Sequence, residues 1–181
     1  RNIAMRMALV LGATASLMSV LPIVAKESLG VDASGFGVLA GAVGVGSVVA
    51  VWLLPVLRKM LDAEWLAVLA CLVWAAATVG LAQSSTLFTA LPALLICGAM
   101  LMVLMNVLFA TFIAQLPDHL RGRGSSIGML MVWLGMSVGA FAWGLTASST
   151  SVRVALIISA VVTAGIGVLN RVALPMSAET N

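Results

Sequence analysis

Six long apolar runs alternate with short polar connectors along the whole chain. Each run is long enough for a helix that crosses a bilayer, which needs about 20 apolar residues. The connectors, such as RKMLDAE and PDHLRGR, are too short to form a second domain. The pattern therefore predicts one all-α transmembrane domain over residues 1–181, with spans at about 4–25, 35–57, 65–83, 87–114, 124–147 and 152–170.

The composition supports a membrane protein and argues against a soluble enzyme. Hydrophobic residues make up 62% of the chain and charged residues 8%, whereas soluble domains have about 45–50% and about 25%. The only histidine, His119, falls in a connector, and Cys71 and Cys97 fall inside spans. No cluster of carboxylates or metal ligands accompanies them. We expect no catalytic site, no cofactor and no bound metal.

The basic residues predict how the spans are oriented. Lysine and arginine are retained on the cytoplasmic side of short loops. Lys26 and Arg153 fall on one side of the predicted membrane, and the other basic residues fall on the opposite side: Arg1, Arg6, Arg58, Lys59, Arg121, Arg123 and Arg171. Both ends of the chain should therefore be cytoplasmic. The net charge of +3 fits contact with anionic lipid headgroups, and nucleic acid is not predicted as a partner.

Glycine is concentrated in two of the six predicted spans. Of 17 glycines, five fall in the second span and five in the fifth. Both spans contain a GxxxG spacing, Gly37/Gly41 and Gly135/Gly139, which lets two helices approach closely. Because these spans hold the same place in two sets of three, the pattern predicts inverted three-helix repeats, as in transporter halves. The alternative is that glycine is simply common in membrane helices.

Two stretches of the chain resemble a known family. LGATASLMSVLPIVAKESLGVDASGFGVLAGAVGVGSVVA covers the first two spans, and AQLPDHLRGRGSSIGM comes after the fourth. With the six-span layout, they resemble the C-terminal half of a major facilitator superfamily transporter. The branch is that of bacterial drug and siderophore exporters, which includes the enterobactin exporter and macrolide efflux proteins. Of the acidic and basic motif that the superfamily often has after the second span, only Arg58 and Lys59 are kept.

The resemblance implies a twelve-helix transporter whose two halves rock about a central cavity. It implies an N-terminal six-helix half as partner, a small-molecule substrate, and efflux, as an antiporter, across the bacterial inner membrane. In that fold the first helix of each triplet lines the cavity, and the second packs against the opposite half. Because the chain begins with Arg1 and lacks a signal-peptide pattern, we expect a piece of a longer protein. A structural six-helix membrane protein and an importer of the same superfamily are the alternatives.

Helical spacing on the two helices that the resemblance assigns to the cavity predicts two lining stripes. Ser16 and Ser19 share a small, polar face of the first span, and Met102, Asn106 and Phe109 share a stripe of the fourth. Asn106 is the sole amide predicted deep in a span, where a polar group needs a partner, a water or a ligand. Such a wall favours an amphipathic or hydrophobic solute. Helix packing is the alternative role for these side chains. No acidic residue is predicted deep in a span, so a proton carrier would lie elsewhere in the intact protein.

The connector QLPDHLRGRGSSIG, between the fourth and fifth spans, is unusually polar. Asp118 precedes Arg121 by three residues, so an ion pair is possible, and Arg121 and Arg123 can meet phosphate headgroups or helix carbonyls. Gly122 should permit a turn, and the serines that follow can cap the fifth span. We predict that Asp118, Arg121 and Arg123 form a cytoplasmic latch. The alternative is that the arginines only anchor the topology.

Overall fold

A computed structural model describes residues 2–173, and this range is helical with short connections. It confirms six helices long and apolar enough to cross a membrane. Arg1 and residues 174–181, and with them both predicted cytoplasmic ends, lie outside the described residues. The α-helices are α1 (Asn2–Thr14), α2 (Ser16–Ile23), α3 (Ala33–Met60), α4 (Ala63–Ala82), α5 (Leu87–Ala114), α6 (Arg121–Ser149) and α7 (Val152–Ala173).

The spans from the second to the sixth are the helices α3 to α7, with ends within a few residues of the predicted ones. The first span is interrupted. Ala15 separates α1 from α2, and a π-helical turn, Val24–Ser28, follows α2. Pro22, inside α2, has no amide hydrogen to donate. Hydropathy did not predict the interruption, because the residues around it are as apolar as the rest of the span.

The side chain of Asp32 caps the N-terminus of the second span, which begins at Ala33. The carboxylate of Asp32 accepts hydrogen bonds from the hydroxyl of Ser34 at 2.7 Å and the amide of Gly35 at 2.9 Å. These two donors hold the pKa of the Asp32 carboxyl below its ordinary value. Gly30, just before the cap, has a φ of +60°, which glycine adopts without strain. The second span therefore begins at a defined residue.

The helices pack in an arrangement that supports inverted repeats. The second span packs along the fourth, the first along the fifth, and the third between the fourth and the sixth. If each span of the first set of three is exchanged with the matching span of the second set, the pair of the second and fourth spans becomes the pair of the fifth and first spans. These two packed pairs are therefore equivalent. The fold is therefore an all-α membrane domain of two inverted three-helix repeats.

The two ends of the bundle differ in charge. We call the end where the second and fourth spans finish, and the third and fifth begin, the basic end; it carries Arg6, Arg58 and Arg121.

Two buried apolar clusters fill the bundle; one contains Trp74 and Leu94, and the other contains Met7 and Leu104. In their most apolar stretches, 61% of the first span is buried but only 33% of the second and 11% of the fifth. The second and fifth spans therefore present apolar surface that lipid or protein must cover.

Candidate functional site

The predicted stripe of the fourth span lines one cavity, which we call the methionine cavity. Its volume is about 270 Å³. Its walls come from the fourth and fifth spans: Met102, Met105, Asn106, Phe109, Ala110 and Met129. Asn106 is the one polar side chain among these six. Methionine side chains are flexible and polarisable, so they adapt to apolar groups of different shape. The structure therefore brings Met102, Asn106 and Phe109 together; their contact with a substrate stays a prediction.

The two serines of the first span lie elsewhere. Ser16 is fully buried inside the bundle, and the half-buried Ser19 donates its hydroxyl to the carbonyl of Ser16 at 3.2 Å. The face of small residues on the first span is occupied, because its Gly12 lies against the backbone of the fifth span. The structure does not join these serines to the methionine cavity. In this arrangement of the helices, their face serves helix packing.

Asn106 has a charged partner that the sequence did not predict. One terminal nitrogen of Arg58, in the last turn of the second span, donates to the side-chain oxygen of Asn106 at 3.1 Å and to its carbonyl at 3.3 Å. Asn106 lies eight residues before the end of α5, or about two turns. It therefore lies inside the span, closer to the midpoint of α5 than to its end, and its depth in the membrane stays a prediction.

Arg58 also lines a second cavity, at the start of the third span. This cavity measures about 450 Å³ and is more polar, since Asp62 and Thr111 contribute to its wall. Ala110 lines both cavities. The bonded pair Arg58 and Asn106 has one member in each wall. The pair therefore stands between an apolar cavity and a polar one.

A buried ion pair joins the first and third spans at the basic end. The guanidinium of Arg6 donates to both carboxylate oxygens of Glu64, at 3.0 Å and 2.9 Å. The side chain of Arg6 is 1% exposed and that of Glu64 is 19% exposed. From the sequence, Glu64 was predicted to lie in a connector, and Arg6 served only as a topology signal. An arginine within an apolar run was the available clue, because such a charge needs a partner.

The connector after the fourth span contains the ion pair that its spacing allows. Arg121 meets Asp118 at 3.1 Å, and both side chains are exposed. The predicted turn at Gly122 is wrong: a single 3₁₀ turn leads directly into α6, which begins at Arg121. Ser125 donates to the carbonyl of Gly122 at 2.7 Å and does not cap the helix. Arg123 is exposed. An exposed pair contributes at most about 1 kcal/mol, so the latch stays a prediction.

Gly135 and Gly139 lie against the first span of the same domain. A Cβ added to Gly135 would lie 2.6 Å from the carbonyl oxygen of Ala8, and one on Gly139 would collide with the backbone of Gly12. Across this crossing, the indole nitrogen of Trp143 donates to the carbonyl of Gly12 at 3.1 Å. The first span of the same domain therefore occupies the face of this glycine pair.

Gly37 and Gly41 face open space, since no described atom lies within 4 Å of a Cβ built on either. The close approach of the second span is made instead by Gly46, which meets the backbone of the fourth span, while Gly98 of the fourth meets the backbone of the second. Ser47 donates to the carbonyl of Gly98 at 3.0 Å across this crossing. The contact of Gly37 and Gly41 with a second half stays a prediction.

Two further arginines bind partners that a linear pattern cannot pair. Arg153, at the start of the sixth span, donates its Nε to the carbonyl of Ala82 at 2.9 Å. The guanidinium of Arg171 lies 3.6 Å from the ring centre of Trp65, a favourable cation–π distance.

Within residues 2–173, no three His, Cys, Asp or Glu side chains are grouped to hold a metal ion.

Comparison with known proteins agrees with this architecture. The family described as transmembrane secretion effectors, part of the major facilitator superfamily, matches residues 1–181. No curated protein matches the chain. The family match extends over all six spans and over both cavities. The chain therefore belongs to the transmembrane secretion effectors of the major facilitator superfamily, a family of membrane transporters.

Proposed function

We propose that this chain is the C-terminal half of a bacterial transporter that exports a small amphipathic solute by alternating access. The family description supports secretion across a membrane. Two inverted three-helix repeats in six spans favour one half of a larger transporter. The drug and siderophore exporter branch is part of this proposal, and antiport would require a proton carrier outside this chain.

The observation that carries the proposal is the methionine cavity. Small-molecule sites are mostly apolar and contain a few polar groups that orient the ligand. This cavity has that composition, with methionine and phenylalanine walls and one amide that is held by Arg58. Its volume of about 270 Å³ is near the lower limit of about 300 Å³ for such sites. One half of a transporter would supply one part of the site, and the other half would supply the rest.

The exposed glycine face of the second span supports the proposal that the second half of the transporter binds there. Gly37, Gly41 and Gly44 all lack neighbours within 4 Å of a built Cβ. Such a face allows another helix to approach to backbone contact. We propose an N-terminal six-helix half as its partner, with lipid covering the outer surface of the domain.

The transport role can be tested by filling the cavity in the full-length protein. Met102→Trp should reduce efflux of amphipathic fluorescent dyes from proteoliposomes, because the larger ring occupies the space between the fourth and fifth spans. Met60→Trp is the matched control, since Met60 is 75% exposed. Equal efflux by both variants would exclude the methionine cavity as the site. Dye accumulation instead of efflux would favour an importer, and no dye movement by the parent would favour a structural membrane protein.

The orientation belongs to the same proposal, with the basic end in the cytoplasm of a cell bounded by a bacterial inner membrane. Ser85 and His119 lie in connectors at opposite ends of the bundle. In a background without Cys71 and Cys97, Ser85→Cys should react with an impermeant maleimide added to intact cells. His119→Cys should react only after the membrane is opened. The reverse labelling pattern would overturn the orientation.

A further inference from the structure

Arg58 is a cation beside an apolar cavity, and its charge is not neutralised within the described part of the chain. The residue is exposed. Among the described carboxylates, Glu64 pairs with Arg6 and Asp118 with Arg121, and none pairs with Arg58. Asp62 lines the same cavity as Arg58 without pairing with it. Arginine stays protonated at any physiological pH, so this positive charge is permanent.

The hydrogen bonds of Arg58 position the guanidinium and leave part of it available. Both bonds to Asn106 come from a single terminal nitrogen. A guanidinium has five N–H donors in a planar fork, so the other nitrogens can still bind an anion. Asn106 holds the fork in place, because its side chain and its carbonyl accept from the same nitrogen. A preoriented guanidinium binds carboxylate or phosphate oxygens with good geometry.

The two cavities offer different surroundings on either side of this pair. Asn106 lines the methionine cavity, whose other walls are apolar. Arg58 lines the more polar cavity of about 450 Å³. A ligand with an apolar end and a charged head could place its apolar end in the methionine cavity and its charged head at Arg58. A volume of about 270 Å³ suits the apolar end alone.

We infer that Arg58 is a specificity residue that selects amphipathic anions, with a carboxylate or phosphate head on its guanidinium and the apolar part among the methionines. The inference rests on the proposed transport function and names its substrate class. The anionic head could belong to a transported solute or to a membrane lipid, since both present the same chemistry to the guanidinium. Lys59 remains beside Arg58 as a second topology signal, so a neutral residue at Arg58 does not remove all positive charge from this end of the span.

A pair of probes that differ only in charge tests the inference. Full-length protein in phosphatidylcholine nanodiscs would be titrated with dansylaminoundecanoate and with its uncharged methyl ester, by fluorescence. The parent should bind the carboxylate more tightly than the ester. Arg58→Gln should weaken carboxylate binding roughly 10- to 100-fold, the usual range for a charge-assisted hydrogen bond, and leave ester binding unchanged. Arg58→Lys should fall between them, because it keeps the charge and loses the fork.

Arg153→Gln is the matched control, because Arg153 is also an exposed arginine that donates to a helix carbonyl, but at the other end of the bundle. It should not change the preference for the carboxylate. If Arg58→Gln does not fold, salt titration of the parent replaces it, since binding that depends on charge weakens with ionic strength. Equal parent affinities for acid and ester, or equal weakening of both by Arg58→Gln, would overturn the inference.

One further measurement distinguishes a transported solute from a lipid as the source of the anionic head. A second distinguishes the anion site from the proposed export function. Phosphatidylglycerol added to the nanodiscs should leave carboxylate binding unchanged if the occupant is a solute, and should displace the probe if the occupant is a lipid headgroup. Transport is measured separately, in proteoliposomes. Carboxylate binding that depends on Arg58, together with no transport of any probe, would refute export and retain the anion site. Transport of the ester and the acid at equal rates by the parent and by Arg58→Gln would refute the anion site and retain export.

Discussion

The buried pair of Arg6 and Glu64 gives the sharpest prediction about stability. Glu64→Gln preserves the shape of the side chain but removes the negative charge that the guanidinium of Arg6, 1% exposed, binds. Removing one partner of a buried ion pair costs about 3–5 kcal/mol. Glu64 is 19% exposed, so water can compensate in part and we expect the lower value. A loss of about 3 kcal/mol corresponds to roughly a 100-fold larger population of the opened state.

Cys71 reports this opening from inside the same region. It is 1% exposed and belongs to the buried cluster that contains Met7 and Leu66, the neighbours of the ion pair along the first and third spans. In a Cys97→Ala background, maleimide labelling of Cys71 should be roughly 100-fold faster in Glu64→Gln than in the parent. This holds when closing is faster than labelling, because the rate then follows the open population. Cys97, buried in the other cluster, should change less when it is the reporter in a Cys71→Ala background.

Two further variants decide whether the charge is responsible. Replacing both partners, Arg6→Met with Glu64→Met, should restore slow labelling, because an apolar pair of similar size often replaces a buried ion pair without loss. Asp118→Asn should alter labelling less than about fivefold, since the pair that it breaks is exposed and contributes about 1 kcal/mol or less. If Glu64→Gln labels as slowly as the parent, or the double variant is no slower than the single one, the pair does not stabilise the basic end.

Three further outcomes follow from features at other sites. Gly139→Leu should lower the yield of extracted, monodisperse protein, because its side chain collides with the first span, whereas Gly80→Leu, in the third span, should not; equal yields would contradict the crossing. The folded-state pKa of Asp32 is lowered, so its carboxylate stabilises the fold above the unfolded pKa of about 3.9 and this contribution is lost as pH falls through the lower folded pKa. The difference in melting temperature between the parent and Asp32→Ala should therefore shrink below about pH 4, and a difference that is constant with pH would contradict the cap. Arg121→Lys keeps the charge and loses the fork, so it should slow transport as Arg121→Ala does if the connector is a latch. Parent-like transport by the lysine variant would leave only a topological anchor.

The number and bounds of the spans could be predicted from the sequence because lipid imposes them. A helix needs a minimum apolar length to cross a bilayer, and the fourth span, Leu87–Ala114, begins and ends where its apolar run does. Residues on one helix could also be grouped, since spacing along a helix determines which side chains share a face. Met102, Asn106 and Phe109 therefore meet in one cavity, as their spacing predicts.

The helix that meets each face could not be predicted from spacing. Gly135 and Gly139 were correctly grouped, but only the fold shows that the first span occupies their face. The partners of Arg58 and Arg6 lie 48 and 58 residues away along the chain. Pairing them requires knowing that the second span packs on the fourth and that Arg6 of the first span reaches Glu64 of the third. Glu64 was missed for a simpler reason: hydropathy places the start of a helix at its first apolar residues, and Glu64 precedes them.

The two glycine crossings, Gly46 with Gly98 and Gly12 with Gly139, also determine how this domain can deform. Where backbone meets backbone, no side chain is present to change rotamer and absorb a sliding movement. Each crossing should therefore resist sliding, and we expect the second and fourth spans to move together as one pair and the first and fifth as another. We expect any bending of the domain to occur between these two pairs of spans, rather than by sliding within either pair.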